Sequence, residues 1–158
     1  MSIFVWIANI FGWPVIHIAV SYVSLRLPAE DFARDSWITA SRKWERGGLI
    51  YKDWFHIRKW KHMLPDGAPW LGGFSKKNLD ARDPDQLSQF LIETRRAEIA
   101  HWFMLACFPI FFLWNPPWAC CVMLAYAVAA NLPCIVAQRY NRMAIGRLVG
   151  RRNGSVAH

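Results

Sequence analysis

Charge is missing from two long stretches of this 158-residue chain: residues 1–25 contain no Asp, Glu, Lys or Arg, and neither do residues 99–137. Uncharged apolar runs of that length are the mark of bilayer-spanning helices, so the absence argues against an ordinary water-soluble domain. Missing too are a CxxC pair and any Cys/His spacing suited to zinc. The four cysteines (Cys107, Cys120, Cys121 and Cys134) all fall in the second charge-free stretch, where they read as small packing residues, and no disulfide is expected. There is no GxGxxG fingerprint, Walker spacing, GxSxG elbow or HExxH pair, which removes the commonest nucleotide, hydrolase and zinc-protease signatures. No internal repeat or low-complexity run is present.

What remains is 54% apolar, with ten tryptophans. Residues 3–23 are long enough to cross a hydrocarbon core of ~30 Å at ~1.5 Å per residue. They lack the basic start and short core of a cleaved signal peptide, so a retained anchor is expected. Residues 99–137 are interrupted at Asn115-Pro116-Pro117, where two missing N–H groups end a helix, so the stretch reads as a hairpin. Its first arm is short unless the helix begins at the Asp83-Pro84-Asp85 start signal, and Pro109 and Pro133 are expected to kink the two arms. The fold class expected is an all-α integral membrane protein with about three transmembrane helices and a cytoplasmic amphipathic or interfacial segment. It forms a single membrane domain: a first span at 3–23, an interfacial segment at 26–84, a helical hairpin at 85–137 and a basic tail at 138–158.

Residues 26–98 hold 14 Lys/Arg and 11 Asp/Glu, residues 138–158 hold five Arg and no acid, and the proline turn holds neither. The positive-inside rule then places the central segment and C-terminus in the cytoplasm, with the N-terminus and proline turn outside a multi-pass cell-membrane protein. Anionic membrane lipids account for the net charge of +8 better than nucleic acid does, and no nucleic-acid partner is expected. Three short spans bury little core, which leaves room for an oligomer.

Within the middle segment, residues 34–45 read as a short surface helix ended by Gly47-Gly48. Residues 51–64, "YKDWFHIRKWKHML", read as a basic amphipathic helix with Trp54, Ile57 and Leu64 on one side. Gly72-Gly73 with Lys76 and Lys77 offers a weak phosphate cradle; such a loop is also ordinary surface.

The run "RRAEIAHW", residues 95–102, sets ionisable groups at the membrane mouth. Glu98 and His101 are three apart on one helix face, so the carboxylate can orient the ring and leave the other nitrogen as a general base, while Arg95 can hold the carboxylate or a phosphate. The plain alternatives are interfacial anchoring, or one half of a carboxylate-bridged metal site. That site would require a second Glu-x-x-His motif and further glutamates, so no metal is expected. In "NLPCIVAQRYNR", residues 131–142, Asn131 is an amide inside an apolar arm, and Gln138 and Arg139 emerge at the same face as Glu98 and His101 if the hairpin is antiparallel.

These blocks, with "RKWKHMLPDG", "GGFSKK", "ETRRAEIAHW" and "FFLWNPPW", resemble the small bacterial glycosyl-4,4'-diaponeurosporenoate acyltransferases of staphyloxanthin-type carotenoid synthesis, over about residues 44–148. The resemblance implies transfer of a fatty acyl group to a sugar hydroxyl of a glycolipid or glycosyl-carotenoid acceptor. The donor would be acyl-CoA, as co-substrate and not resident cofactor, or an acyl carrier protein. The resemblance carries no residue roles, and those that follow are inferred. His101 is expected to be the base and Glu98 its orienting partner. Arg95, Arg96, Lys76 and Lys77 are expected to meet the donor's phosphates, Asn131 or Gln138 the thioester oxyanion, and Arg139 belongs with the substrate-binding groups. His62 and Asp66 fall one residue short of the His-x4-Asp pattern of soluble-face acyltransferases, which we read as coincidence. The competing class is a non-catalytic membrane scaffold docking a partner through its aromatic surface.

Overall fold

The computed structural model describes residues 2–64 and 83–155, with side chains to 148. Three helices long and apolar enough to cross a membrane dominate it, and no strand occurs among the described residues. Helix α1, Ile3–Arg26, forms as the charge-free composition requires. Its side chains Ile3, Phe4, Ile10, Phe11, Val15 and Ile18 stay exposed, as suits a surface meant for acyl chains. The short α2 (Leu49–Asp53) and α3 (Ile57–Trp60) follow in the interfacial segment. Helix α4, Pro84–Ala106, starts at the expected signal: Asp83 Oδ1 accepts the N–H groups of Asp85 at 2.9 Å and Gln86 at 3.3 Å, and Pro84 occupies the first turn, where its missing N–H costs nothing. Helix α5, Pro117–Ser155, begins in the double proline and carries Pro133 within it.

The hairpin is antiparallel, since Glu98 meets Arg139 near one end and His101 meets Asn131 further along. Helix α1 runs antiparallel to α4: Arg96 reaches the Ser24 carbonyl at one end, and Trp13 stacks on Phe111 with ring centroids 4.7 Å apart nearer the other. Gly12 allows that approach, because a Cβ there would lie 3.1 Å from the Phe111 ring. Beyond it, Asn9 and Asn115 exchange amide hydrogen bonds at 2.8 Å, and Trp114 Nε1 donates to Asn9 at 2.8 Å. These amides close the proline-turn end with their polar groups paired, as hydrocarbon surroundings demand.

Three local expectations are corrected. Pro109 does not merely kink the first arm; α4 ends at Ala106, and Phe108–Leu113 continues as a 3-10 turn, since the proline ring would collide with the carbonyl one helical turn earlier. Residues 34–45 are not one helix. A turn is tied by Ser36 and Thr39, whose side chains and N–H groups bond reciprocally at 2.8 and 3.3 Å, and a separate 3-10 turn runs over Lys43–Gly48. The stretch 51–64 is likewise broken, at His56, whose φ is 48°. Ile57 is fully buried with Tyr51 against Ala137, Tyr140 and Met143 of α5, while Trp54 is 80% exposed. Packing against α5 has overridden the amphipathic pattern.

Candidate active site

The polar centre is built where the interfacial segment crosses the ends of α4 and α5. Arg139 is its hub. Its Nε donates to Glu45 Oε1 at 2.7 Å and its Nη2 to Glu45 Oε2 at 2.9 Å; Nη2 also donates to the Ala40 carbonyl at 2.9 Å. Its Nη1 donates to Glu98 Oε1 at 2.5 Å and to the Ile38 carbonyl at 3.0 Å. A guanidinium has five N–H groups, and here five protein acceptors surround it. Arg142 completes the cluster, with Nη2 2.6 Å from Glu98 Oε2 and 2.6 Å from the Thr39 carbonyl. Glu45, Glu98 and Thr39 are wholly inaccessible.

Glu45 also accepts from the Tyr51 hydroxyl at 2.5 Å and from the Arg42 backbone N–H. Burial pushes its carboxyl upward, but the bonds from Arg139, Tyr51 and Arg42 outweigh that and hold it below its ordinary value. Burial, and then the carboxylate beside it, push the Tyr51 phenol up. The ring therefore remains a donor, and Glu45 remains an anion locked to Arg139.

Glu98 thus faces two guanidiniums, whereas the sequence spacing paired it with His101. One partner of the ring is Asn131: Nδ1 lies 2.9 Å from Oδ1 of an amide with no accessible surface. The Asn131 Nδ2 donates to the Ala127 carbonyl at 2.9 Å. A backbone carbonyl only accepts, so the amide nitrogen must point to Ala127 and the oxygen to the ring. Nδ1 must therefore carry the proton, which leaves the lone pair of the neutral ring on Nε2.

The expected ligand-binding cations are engaged elsewhere. Arg95 pairs with Asp35 at 2.6 Å and donates to the Phe32 and Ala33 carbonyls at 3.3 Å. Arg96, 6% exposed, donates to the Ser24 and Leu27 carbonyls at 2.5 and 2.8 Å, which satisfies the carbonyl end of α1, and lies over the Phe32 ring. Gln138 is buried beside Arg139, seven residues or ~10 Å along α5 from Asn131. It belongs to the depth of the charge cluster. Lys76 and Lys77, with the Gly72-Gly73 loop, lie outside the described residues. Among the described residues no group of three His, Cys, Asp or Glu side chains could hold a metal ion.

Sequence reading missed Glu45, the partner that ties the interfacial segment to the hairpin, and gave Arg142 no part in the site. It missed Asn9 too, although that residue carried the same signal as Asn131, an amide inside a charge-free span.

The chain is similar to proteins of known name. The family model described as glycosyl-4,4'-diaponeurosporenoate acyltransferase matches residues 34–151, a range that takes in Glu45, His101, Asn131 and Arg139. Proteins named glycosyl-4,4'-diaponeurosporenoate acyltransferase from Staphylococcus aureus strains bovine RF122 / ET3-1 and USA300 are each 30% identical over 138 residues, covering 87% of this chain and 83% of theirs. No solved structure matches the chain.

Proposed function

Because the chain belongs to the glycosyl-4,4'-diaponeurosporenoate acyltransferase family, and so is an acyltransferase, we propose that it esterifies a sugar hydroxyl of a glycosylated carotenoid or related glycolipid with a fatty acyl group delivered as a thioester. The observation that carries this reading is the His101–Asn131 pair at 2.9 Å, with Asn131 itself fixed to Ala127. A buried amide presets the tautomer in which Nε2 can take a proton. It stands between the charge cluster on one side and the apolar length of the hairpin on the other, the level at which a sugar head group and a hydrocarbon tail divide.

In the proposed step, Nε2 accepts the sugar hydroxyl proton as the oxygen attacks the thioester carbonyl. The new C–O ester bond forms, the C–S bond breaks, and the imidazolium returns its proton to the departing thiolate. Asn131 takes the orienting role first given to Glu98, and its engaged amide replaces the oxyanion role first given to it. Glu98 and Arg139 hold the site's frame. Lys76 and Lys77 remain our choice for the phosphates shared by acyl-CoA and a carrier-protein donor, since Arg95 and Arg96 already hold α1 and its following turn. The lysine- and arginine-rich middle segment and tail support a reading in which this face is cytoplasmic and the N-terminus outside.

Mass spectrometry of lipids from cells making wild type or His101→Gln at equal membrane levels tests the reading. Wild type should yield a glycosyl acceptor heavier by one acyl group, and the variant should form it about 10²–10⁴-fold more slowly, the usual worth of a general base. Undiminished product from the variant would remove His101 as the base. No acylated glycoside from wild type given donor and acceptor would remove acyl transfer and favour the scaffold reading.

A further inference from the structure

Deep in α1, two ring nitrogens lack hydrogen-bond partners although both atoms are buried: Trp13 Nε1 and His17 Nε2. They are four residues apart and so lie on one face, with ring centroids 5.9 Å apart. Trp13 is only 2% exposed. Its other ring neighbours are Phe111 at 4.7 Å and Tyr126 of α5 at 5.5 Å, within an apolar cluster. Elsewhere along the spans the amides are paired, Asn9 with Asn115 and Asn131 with His101. Two unpaired polar atoms on adjacent turns therefore stand out, because hydrocarbon offers no water to satisfy them and each costs free energy while empty. Imidazole within a span is rare without a polar group to meet.

The register places these nitrogens next to the proposed reaction site. Arg96 opposite Ser24 and Phe111 opposite Trp13 put His17 level with residues 103–107 at the end of α4, two to six residues or ~3–9 Å from His101 along the chain. The α5 register agrees: Trp13 meets Tyr126 and His101 meets Asn131, five residues or ~7.5 Å away, and His17 lies one turn of α1 nearer to His101 than Trp13 does. An indole N–H only donates, and imidazole Nε2 can do so. The group that both could bind is thus a lone-pair oxygen attached to an apolar chain, about one sugar ring deeper in the membrane than the reacting hydroxyl.

We propose that Trp13 Nε1 and His17 Nε2 form a binding site for the carbonyl oxygen of the ester that joins the acceptor's sugar to its hydrocarbon acid. This deepens the acyl-transfer reading and rests on it for the identity of the ligand. A glycosyl ester bound this way has its sugar delivered towards His101 and its chain laid along α1, whereas an acceptor with an ether link in that place forfeits the contact. The site accordingly selects the linkage as well as the depth.

The test uses the full-length protein in bilayer nanodiscs, with a glycosyl ester of a long polyunsaturated acid labelled with carbon-13 at the ester carbonyl. Difference infrared spectra should show the labelled stretch shifted to lower frequency on binding wild type, and returned to its free lipid position with His17→Leu and with Trp13→Phe. In turnover, His17→Leu should raise KM for the ester acceptor about five- to tenfold, the worth of one hydrogen bond, with kcat within twofold. An unshifted labelled band in wild type, or the same shift in both variants, would overturn the site. So would a shift seen only when the label is moved to the donor's thioester carbonyl, which would make the occupant the acyl donor. The spectrum needs no turnover, so a protein that shifts the band yet transfers no acyl group would defeat the acyltransferase mechanism and leave the site standing. The insertion and thermal stability of Trp13→Phe, measured alongside, keep loss of fold separate from loss of binding.

Discussion

Arg139 shows how one side chain can make a surface segment part of a membrane core. Its guanidinium bridges two fully buried carboxylates, Glu45 from the interfacial segment and Glu98 from α4, and two carbonyls between them. Replacing it by Met would strand both anions, and breaking a buried pair typically costs ~3–5 kcal/mol. Thermal unfolding of Arg139→Met in detergent should therefore occur well below wild type, with the segment around Tyr51 opened to protease. Arg139→Lys should recover only part of the loss, since an ammonium cannot serve two carboxylates in a fixed fork. Equal stability of all three proteins would show the bridge to be dispensable. The sequence marked Glu98, His101 and Asn131 as unusual by placing polar groups against charge-free helix. It could not show how they pair. Spacing within α4 offered Glu98 a neutral imidazole, and the fold brought two cations from α5, which make the stronger, charge-assisted bonds.

At the scale of elements, legibility followed length. The three spans were plain because many consecutive residues agree on one solvent, and the proline turn and the Asp83 start signal each rest on a local rule that tertiary packing leaves alone. The short pieces of the interfacial segment were not legible. A stretch of fourteen residues with aromatics and lysines satisfies a helical pattern, yet Tyr51 and Ile57 gain more by packing under α5 than by lying on a surface, and the chain turns at His56 to let them. Where α1 meets the end of the first arm, the decisive residue is small. A Cβ on Gly12 would come within 3.1 and 3.2 Å of Phe111, which is itself fully buried between Trp13 and Trp114. Gly12→Leu should push α1 off the 3-10 turn and strain the Asn9–Asn115 exchange one turn away, at a cost of about 1–3 kcal/mol for overpacking. A lowered melting temperature in detergent would register that displacement. Gly12→Leu with wild-type melting would mean that Phe111 yields freely.

For the whole molecule, the excess of positive charge conceals an ordered interior in which acids do much of the holding. Only 11 of the 30 charged residues are acidic, yet Asp35, Glu45, Glu93 and Glu98 each hold an arginine. Membrane insertion fixes the helices, and these pairs fix the interfacial segment over them. That division makes the segment sensitive to acid. The Glu45 carboxyl is held below its ordinary value of 4.5 by Arg139, Tyr51 and Arg42 despite burial. A carboxyl depressed in the folded state contributes stability that is fully present above the unfolded value and is lost as pH falls through the folded one. The attachment of residues 42–51 should therefore be constant from neutral pH down to about 4.5 and weaken below it. Helical content should persist there, since α1, α4 and α5 owe their place to the bilayer. Limited proteolysis and tryptophan emission across that range, on wild type and on Glu45→Gln, read the two parts separately. Wild type should lose protection of the segment only in acid, while Glu45→Gln, unable to bind Arg139 as an anion, should be loose at every pH and show no such transition. A transition of the same size in both proteins would assign the acid sensitivity to a carboxyl other than Glu45.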